Sequence, residues 1–377
     1  MLSWQLDLRV SYLYIHLNFC YLLNFGSNMI TEKQIQEIRE HLEKAQNPLF
    51  FFDNDNDGLC SFLLLRRFIG RGRGVAIKSF PDLNASYYRK VKELNPDYIF
   101  ILDKPVVDEK FFEKAKEDGL PIVWIDHHQV ENRKNSRDLV YYYNPFLNDG
   151  KNEPVSYLCY KITGRKEDVW LAVVGCVSDS FISDFYSEFL EKYPDLGKKS
   201  PKSAFDLLFN SEIGYIARIL DFSLKDTTTN VVSMMKFMMQ AKGPFDIIQE
   251  NSHTKQILKR YNEINSRYQI LIEKARKQAG GKLIFFQYGG NLSLSANIAN
   301  QLIYEYPDKI IVVVYIKGDV ANISLRGGED IRSLTLKAIE GIEGATGGGH
   351  KNATGAKMSV SELPKFKGEV ERLVGEN

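Results

Sequence analysis

Short apolar runs alternate with amphipathic stretches through the first third of the chain. Residues 48–52, 74–80, 97–102 and 121–125 are apolar and rich in β-branched or aromatic side chains. Residues 59–69, 86–94 and 109–117 lie between them with helical spacing. Such alternation predicts an α/β fold, a parallel sheet with helices on both faces. Residues 139–143 add a further strand. Helices follow over 154–163, with Pro154 at the first helical position, and over 167–177. Upstream, Thr31 and Gln34 form a capping-box pattern that opens a helix over 32–45.

Residues 180–250 read as mainly helical, with breaks at 198–201 and 242–244. Met234, Met235, Met238 and Met239 recur at helical spacing, the mark of a packed helix rather than of a cofactor box. Residues 252–278 form a long charged helix, a connector with a solvated face. The pattern restarts after Gly280-Gly281. Strands over 282–287, 309–316, 320–325 and 356–360 and helices over 293–306, 331–339 and 362–374 predict a smaller α+β domain of about 100 residues. A hairpin-like turn falls at 317–319 and a glycine-rich turn at 347–350. The predicted organisation is a first domain over 29–180, a helical insertion and connector over 181–280, and a second domain over 281–377. Residues 1–28 stand apart. Their aromatic stretch, 12–25, falls short of the roughly 20 residues a bilayer span needs, and no cleavage site follows it. Met29 is read as the natural start and 1–28 as a non-native or disordered extension.

Composition narrows the picture. The 49 basic and 48 acidic residues nearly cancel, so any nucleic-acid binding must rest on local patches. The most basic run, Arg66, Arg67, Arg71 and Arg73, falls at the end of the helix 59–69 and suits the helix dipole there. Cys20, Cys60, Cys159 and Cys176 lack paired spacing, which predicts free thiols in a reducing compartment. The expected location is cytoplasmic, with no membrane contact.

In an open parallel sheet, ligands bind at the carboxyl ends of the strands. The chain concentrates acid there. Strand one ends in Asp53-Asn54-Asp55-Asn56-Asp57-Gly58, strand three in Asp103, strand four in Asp126-His127-His128, and Asp179 closes a helical run. Converging carboxylates repel one another, and a divalent cation resolves the repulsion. Oxygen donors with one or two imidazoles suit Mn²⁺ or Mg²⁺ better than zinc. A calcium loop is excluded because its twelfth position, which requires Glu, is Leu64. Downstream, Gly347, Gly348 and Gly349 would let backbone N–H groups approach an anion, with His350 beside them. Ser324 and Arg326 offer a hydroxyl and a guanidinium fork for phosphate. Together these features read as a two-metal phosphoesterase.

With its motifs in this order, the chain resembles the DHH phosphoesterase superfamily, which includes RecJ-type exonucleases and nano-RNases. The resemblance covers about residues 48–180 and 282–375. It implies a DHH catalytic domain over 29–180 and a DHH-associated substrate-binding domain over 281–377. It implies Asp53 and Asp55 as ligands of one metal, Asp57, His127 and Asp179 as ligands of the other, and Asp103 as a bridge. It places His128 on the scissile phosphate, Asp126 in support of the neighbouring histidine, and Ser324, Arg326, Gly348, Gly349 and His350 on the substrate. Asp57, Asp103, His127 and His128 are thereby the catalytic set. Many members carry a histidine where this chain has Phe51, four residues before Asp55. The Asp-x-Asp-x-Asp-Gly form is similar to that of RecJ-type enzymes. The implied activity is exonucleolytic hydrolysis of single-stranded nucleic acid or short oligonucleotides to mononucleotides, with two Mn²⁺ ions, or Mg²⁺ in their place. The partners it leaves open are single-stranded DNA or RNA, repair or replication proteins, and a second copy of the chain in a homo-oligomer. Its rivals are a phosphoesterase acting on a cyclic dinucleotide or on 3′-phosphoadenosine 5′-phosphate, and a catalytically silent replication or repair scaffold.

Overall fold

The computed structural model describes residues 30–79, 82–129, 138–148 and 152–375. Expectations for residues 1–28, and for the end of the strand read to residue 80, lie outside them. Helix α1 (Glu32–Lys44) starts at Thr31, where both hydrogen bonds of the capping box with Gln34 are present. There follow β1 (Pro48–Asp53), α2 (Asn56–Ile69), β2 (Arg73–Ile77), β3 (Asp82–Leu83), α3 (Tyr88–Leu94), β4 (Tyr98–Leu102), β5 (Val106–Val107), α4 (Glu109–Glu117), β6 (Ile122–Ile125) and β7 (Val140–Tyr143). Strands β2-β1-β4-β6-β7 form one parallel sheet, while β3 and β5 pair in a two-stranded ribbon that the apolar pattern does not announce. Both faces of the sheet are covered. Phe50, Phe52, Phe100 and Leu102 face one core, and Leu49, Phe51, Ile99 and Ile101 face the other.

The sequence reading starts the second helix at residue 59; α2 begins three residues earlier. Asp55 is its N-cap and accepts from Gly58 N at 2.9 Å, so Asn56, Asp57 and Gly58 are helical rather than loop. Pro154 caps α5 (Val155–Thr163) instead of occupying its first helical position. Helix α6 (Val169–Ser178) is buried almost throughout and packs with α2 and α5.

The middle of the chain holds α7 (Tyr186–Lys192), α8 (Ala204–Asn210), α9 (Glu212–Leu224), α10 (Thr228–Met238), α11 (Phe245–Ile248) and α12 (Lys255–Arg276). Met234, Met235 and Met238 are buried in the core, as a packed helix requires. The C-terminal part adds β8 (Leu283–Gly289), α13 (Ser295–Glu305), β9 (Ile310–Lys317), β10 (Val320–Arg326), α14 (Ile331–Ile339), β11 (Thr346–His350), β12 (Ala353–Ser359) and α15 (Leu363–Val374). Its sheet runs β11-β12-β10-β9-β8, with β8 and β9 parallel and the other pairs antiparallel. The glycine-rich segment is therefore an edge strand, β11, where the sequence reading expects a turn. One apolar core runs from Ile38 and Leu42 through α9 and α12 to Ile298, Val313 and Tyr315. Among the described residues, no helix is long and apolar enough to cross a membrane.

Candidate metal centre and active site

Strand order decides where the acidic residues meet. The chain proceeds from β1 outward to β2, then returns to β4 and β6 on the other side of β1. The crevice at such a switch point is where an open α/β sheet binds ligands. Here it is bounded by the carboxyl ends of three adjacent strands, aligned as Phe52↔Leu102 and Leu102↔Ile125. Asp53 ends β1, Asp103 follows β4, and Asp126-His127-His128 follows β6.

Local backbone brings the acids closer. Gly58 allows the first turn of α2 to sit against the end of β1; a Cβ there would lie 2.5 Å from Asp53 O. Asp57 Oδ2 accepts from Val155 N and its Oδ1 from Ser156 N, both at 2.8 Å, so this carboxylate also caps the start of α5. Asp103 adopts φ +58°, a left-handed conformation that aspartate tolerates better than most residues. Asp179 caps the C-terminus of α6. Asp57, Asp103 and His127 bring ligand atoms within 4.8 Å of one another, and so do Asp53, Asp55 and Asp103. His127 Nε2 lies 3.3 Å from Asp103 Oδ1 and its Nδ1 lies 3.8 Å from Asp179 Oδ2.

The electrostatics are those of a site that demands cations. Enclosure by protein, then the charges of Asp53 and Asp57, push Asp55 up to about 8, although its side chain still reaches solvent at the mouth of the crevice. Burial and the carboxylates of Asp57 and Asp55 hold Asp103 well above the usual range. Burial also raises Asp179, to about 6, against the opposing pull of His127. For His127, burial disfavours the charged ring, yet Asp179, Asp103 and Asp57 outweigh it and raise its pKa. His127 Nδ1 is buried without a hydrogen-bond partner, and buried Asp103 Oδ1 has only the 3.3 Å approach of His127 Nε2. Buried polar atoms rarely stay unsatisfied, and these two face the same cluster. An oxygen-rich set with one imidazole fits Mn²⁺ or Mg²⁺.

His128 is held differently from His127. Its Nδ1 lies 2.8 Å from Asp126 Oδ1, and Asp126 Oδ2 accepts from Tyr142 OH at 3.2 Å. Asp126 thus supports the second histidine of the pair, two residues on. This leaves the Nε2 of His128 as its second ring nitrogen. Across the crevice, the His350 ring stands 5.0 Å from that of His128 and 5.5 Å from that of His127. Asn152 Nδ2 lies 3.2 Å from His350 Nδ1. Burial, then His128 and His127, push His350 down to about 3, so it is neutral.

Gly349 has φ +136° and its position would drive a Cβ to 2.6 Å from Ala353 O, so glycine is required where β11 turns His350 inward. Gly348, beside it, has open space around its Cα. Arg326 Nε donates to Asn300 Oδ1 at 2.7 Å. Burial lowers the Arg326 pKa to about 10 while Asp179 opposes the shift, so the guanidinium stays charged and feels the acidic crevice. Ser324 is the residue the structure does not bring to this group. It is buried and donates to Ser295 Oγ at 3.0 Å, inside the C-terminal domain. The basic run is likewise structural. Arg67 contacts Asp168 at 2.7 Å and donates to Met238 O and Ala241 O, and Arg71 donates to Ala45 O and Glu43 O at the end of α1.

Two residues escape the sequence reading. Lys104 is completely buried, with Nζ 3.0 Å from Asp53 Oδ1 and 2.9 Å from Ser79 O. Asn56, between the acidic residues of the first motif, donates to Ser178 Oγ at 2.9 Å and to Ala217 O of α9 at 2.7 Å. Neither carried a signal, since a lysine after an aspartate reads as exposed and an asparagine in an acidic loop reads as solvated.

Residues 49–168 match the DHH family, N-terminal domain, and residues 268–376 match the DHHA1 domain. An uncharacterized protein of Methanocaldococcus jannaschii is 31% identical over 96 residues, which is 24% of this chain and 22% of that protein. RecJ of Thermus thermophilus, in complex with Mn²⁺, superposes with a TM-score of 0.62 at 16% identity. The match takes in 91% of this chain and 54% of RecJ, so the chain spans about half the length of that enzyme. The DHH domain of a member of the s1p family of ribosomal proteins gives a TM-score of 0.67 at 15% identity, over 93% of this chain and 94% of the other. At these identities the structural likeness is one of fold. From its two matched domains, the chain belongs to the DHH phosphoesterase superfamily.

Proposed function

We propose that the protein is a metal-dependent phosphodiesterase, a RecJ-like exonuclease that hydrolyses single-stranded nucleic acid or short oligonucleotides to mononucleotides. The observation that carries this reading is the meeting of His350 with His128 directly beside the carboxylate cluster. A group suited to hold phosphate from one domain faces a cation site built by the other. Asp53, Asp55, Asp57, Asp103, His127 and Asp179 would hold two divalent ions, Mn²⁺ or Mg²⁺. Bound there, such ions lower the pKa of a water molecule and offset charge on phosphoryl oxygens. The residues of the chain do the rest. Asp126 accepts the Nδ1 proton of His128 and fixes the ring, whose Nε2 would meet a phosphate oxygen as a donor only in the imidazolium form. Arg326 and His350, with the open backbone at Gly348 and the turn at Gly349, grip the phosphate from the opposite wall. A crevice walled by two domains suits one strand better than a duplex.

The test is digestion of 5′- and 3′-labelled single strands of DNA and RNA with Mn²⁺, beside a dinucleotide, a cyclic dinucleotide and 3′-phosphoadenosine 5′-phosphate. Stepwise shortening of the labelled strands, lost in His127→Ala, supports the reading. Turnover of only the small substrates overturns the exonuclease assignment. Hydrolysis that persists in His127→Ala overturns the site.

A further inference from the structure

We propose that Lys104 is a built-in counterion of the metal cluster, a specificity-determining residue that sets how tightly the cluster binds divalent cations. The inference rests on the reading of that cluster as a cation site. Besides Asp126, which is bonded to His128, five carboxylates surround the crevice: Asp53, Asp55, Asp57, Asp103 and Asp179. One of them is already answered. The ammonium of Lys104, with no exposed surface, lies 3.0 Å from Asp53 Oδ1, and the backbone N–H of Asn54 donates to the same oxygen at 2.8 Å. A buried ammonium this close to a carboxylate is retained because the pair is retained.

The lysine is also fixed in place. Its head donates to Ser79 O at 2.9 Å, and its own carbonyl accepts from Trp124 Nε1 at 2.9 Å. Indole and carbonyl hold the backbone just after Asp103, so the positive charge cannot swing into solvent and stays directed at Asp53. The effective charge of the five acids is therefore that of four, which is the charge that two divalent cations neutralise.

This predicts an order of affinities that a merely structural role would not produce. Lys104→Met keeps an unbranched chain and removes the charge, so Asp53 is left to add its full attraction. Mn²⁺ should bind roughly 10- to 100-fold more tightly, the size of effect that one charge a few ångströms away has on a proton. Asp53→Asn leaves the ammonium unanswered and should weaken binding by a similar factor. The double variant Lys104→Met/Asp53→Asn removes both charges and should return close to wild type. Mn²⁺ affinity is read by electron paramagnetic resonance of the free ion, with the full-length protein and no substrate. Damage to folding would weaken binding in all three variants. A Lys104→Met protein that binds Mn²⁺ no more tightly than wild type overturns the proposal, and so does a double variant as weak as Asp53→Asn. If Lys104→Met does not fold, the Asp53→Asn protein decides: unchanged affinity overturns the proposal, and a tenfold or greater loss together with recovery in the double variant supports it. Failure of the wild-type protein itself to bind Mn²⁺ would overturn the cation site, a result distinct from these.

Discussion

Mn²⁺ binding should expel protons, and the number can be worked from the crevice. At about pH 6.5 the metal-free protein keeps a proton on Asp55, raised to about 8, while Asp103 and the His127 ring, both raised above their usual ranges, hold protons more tightly than free side chains do. Asp179, raised to about 6, is mostly ionised there. A cation needs charged carboxylates and a neutral His127 ring, so at least one proton leaves when it binds. The apparent affinity should then rise at least about tenfold per pH unit between about pH 6 and 7, tenfold for each proton displaced. The same shifts fix the sign of the stability profile. Raised carboxyl pKa values mean that the folded chain holds more protons than the unfolded one between about pH 4 and 8. Metal-free stability therefore falls as the pH climbs through that window, and saturating Mn²⁺ should abolish the decline. At 100 times its Kd, Mn²⁺ should add about 2.7 kcal/mol. Calorimetric titration in two buffers of different ionisation enthalpy counts the protons, and thermal unfolding with and without Mn²⁺ follows the stability. Mn²⁺ that binds at about pH 6.5 without proton release, with an affinity flat across the range, would refute the electrostatic argument.

Other substitutions separate scaffold from chemistry. Arg67→Ala removes one of the two arginine partners of Asp168, a carboxylate with no exposed surface that keeps Arg165 at 2.8 Å; denaturant unfolding should show a loss of roughly 1.5–3 kcal/mol. Gly58→Ala forces a methyl group against the backbone of Asp53, so unfolding should shift by about 1–3 kcal/mol and Mn²⁺ should no longer stabilise the protein. His350→Ala should raise KM for an oligonucleotide several-fold while Mn²⁺ binding, followed by the same calorimetry, stays intact, because His350 is not among the proposed ligands. Asn56→Ala cuts the link from the first motif to α9; weaker Mn²⁺ binding with near-wild-type secondary structure by circular dichroism is expected, and unchanged affinity would show that the link is idle.

Much of this is legible in the sequence. Residues 48–52 or 121–125 can hardly be anything but strands, because a continuous apolar run between turn signals suits a sheet buried on both faces. The carboxyl-end rule then gathers Asp53, Asp103 and His127 without any contact information. The failures have physical causes as well. Gly347, Gly348 and Gly349 have no side chains to alternate, so β11 leaves no periodic trace and reads as a turn. Asp57-Gly58 looks like a loop until Asp55 is seen to cap the helix that contains both. Ser324 sits correctly in its strand, but sequence does not say that its hydroxyl bonds Ser295. Lys104 is the plainest case. A lysine is expected in water, and only its distance to Asp53 shows otherwise.

The apolar core that passes from α9 and α12 into the C-terminal sheet bears on how the protein can be taken apart. Ile298 and Leu302 of α13, and Val313 and Tyr315 of β9, complete a layer begun by the preceding helices. Expressing either half alone by cutting at Gly280-Gly281 would strip that layer and leave sticky, poorly soluble fragments. The unit of engineering is the whole span from α1 to the last helix. A graft of the C-terminal half onto another enzyme would have to carry α12 with it.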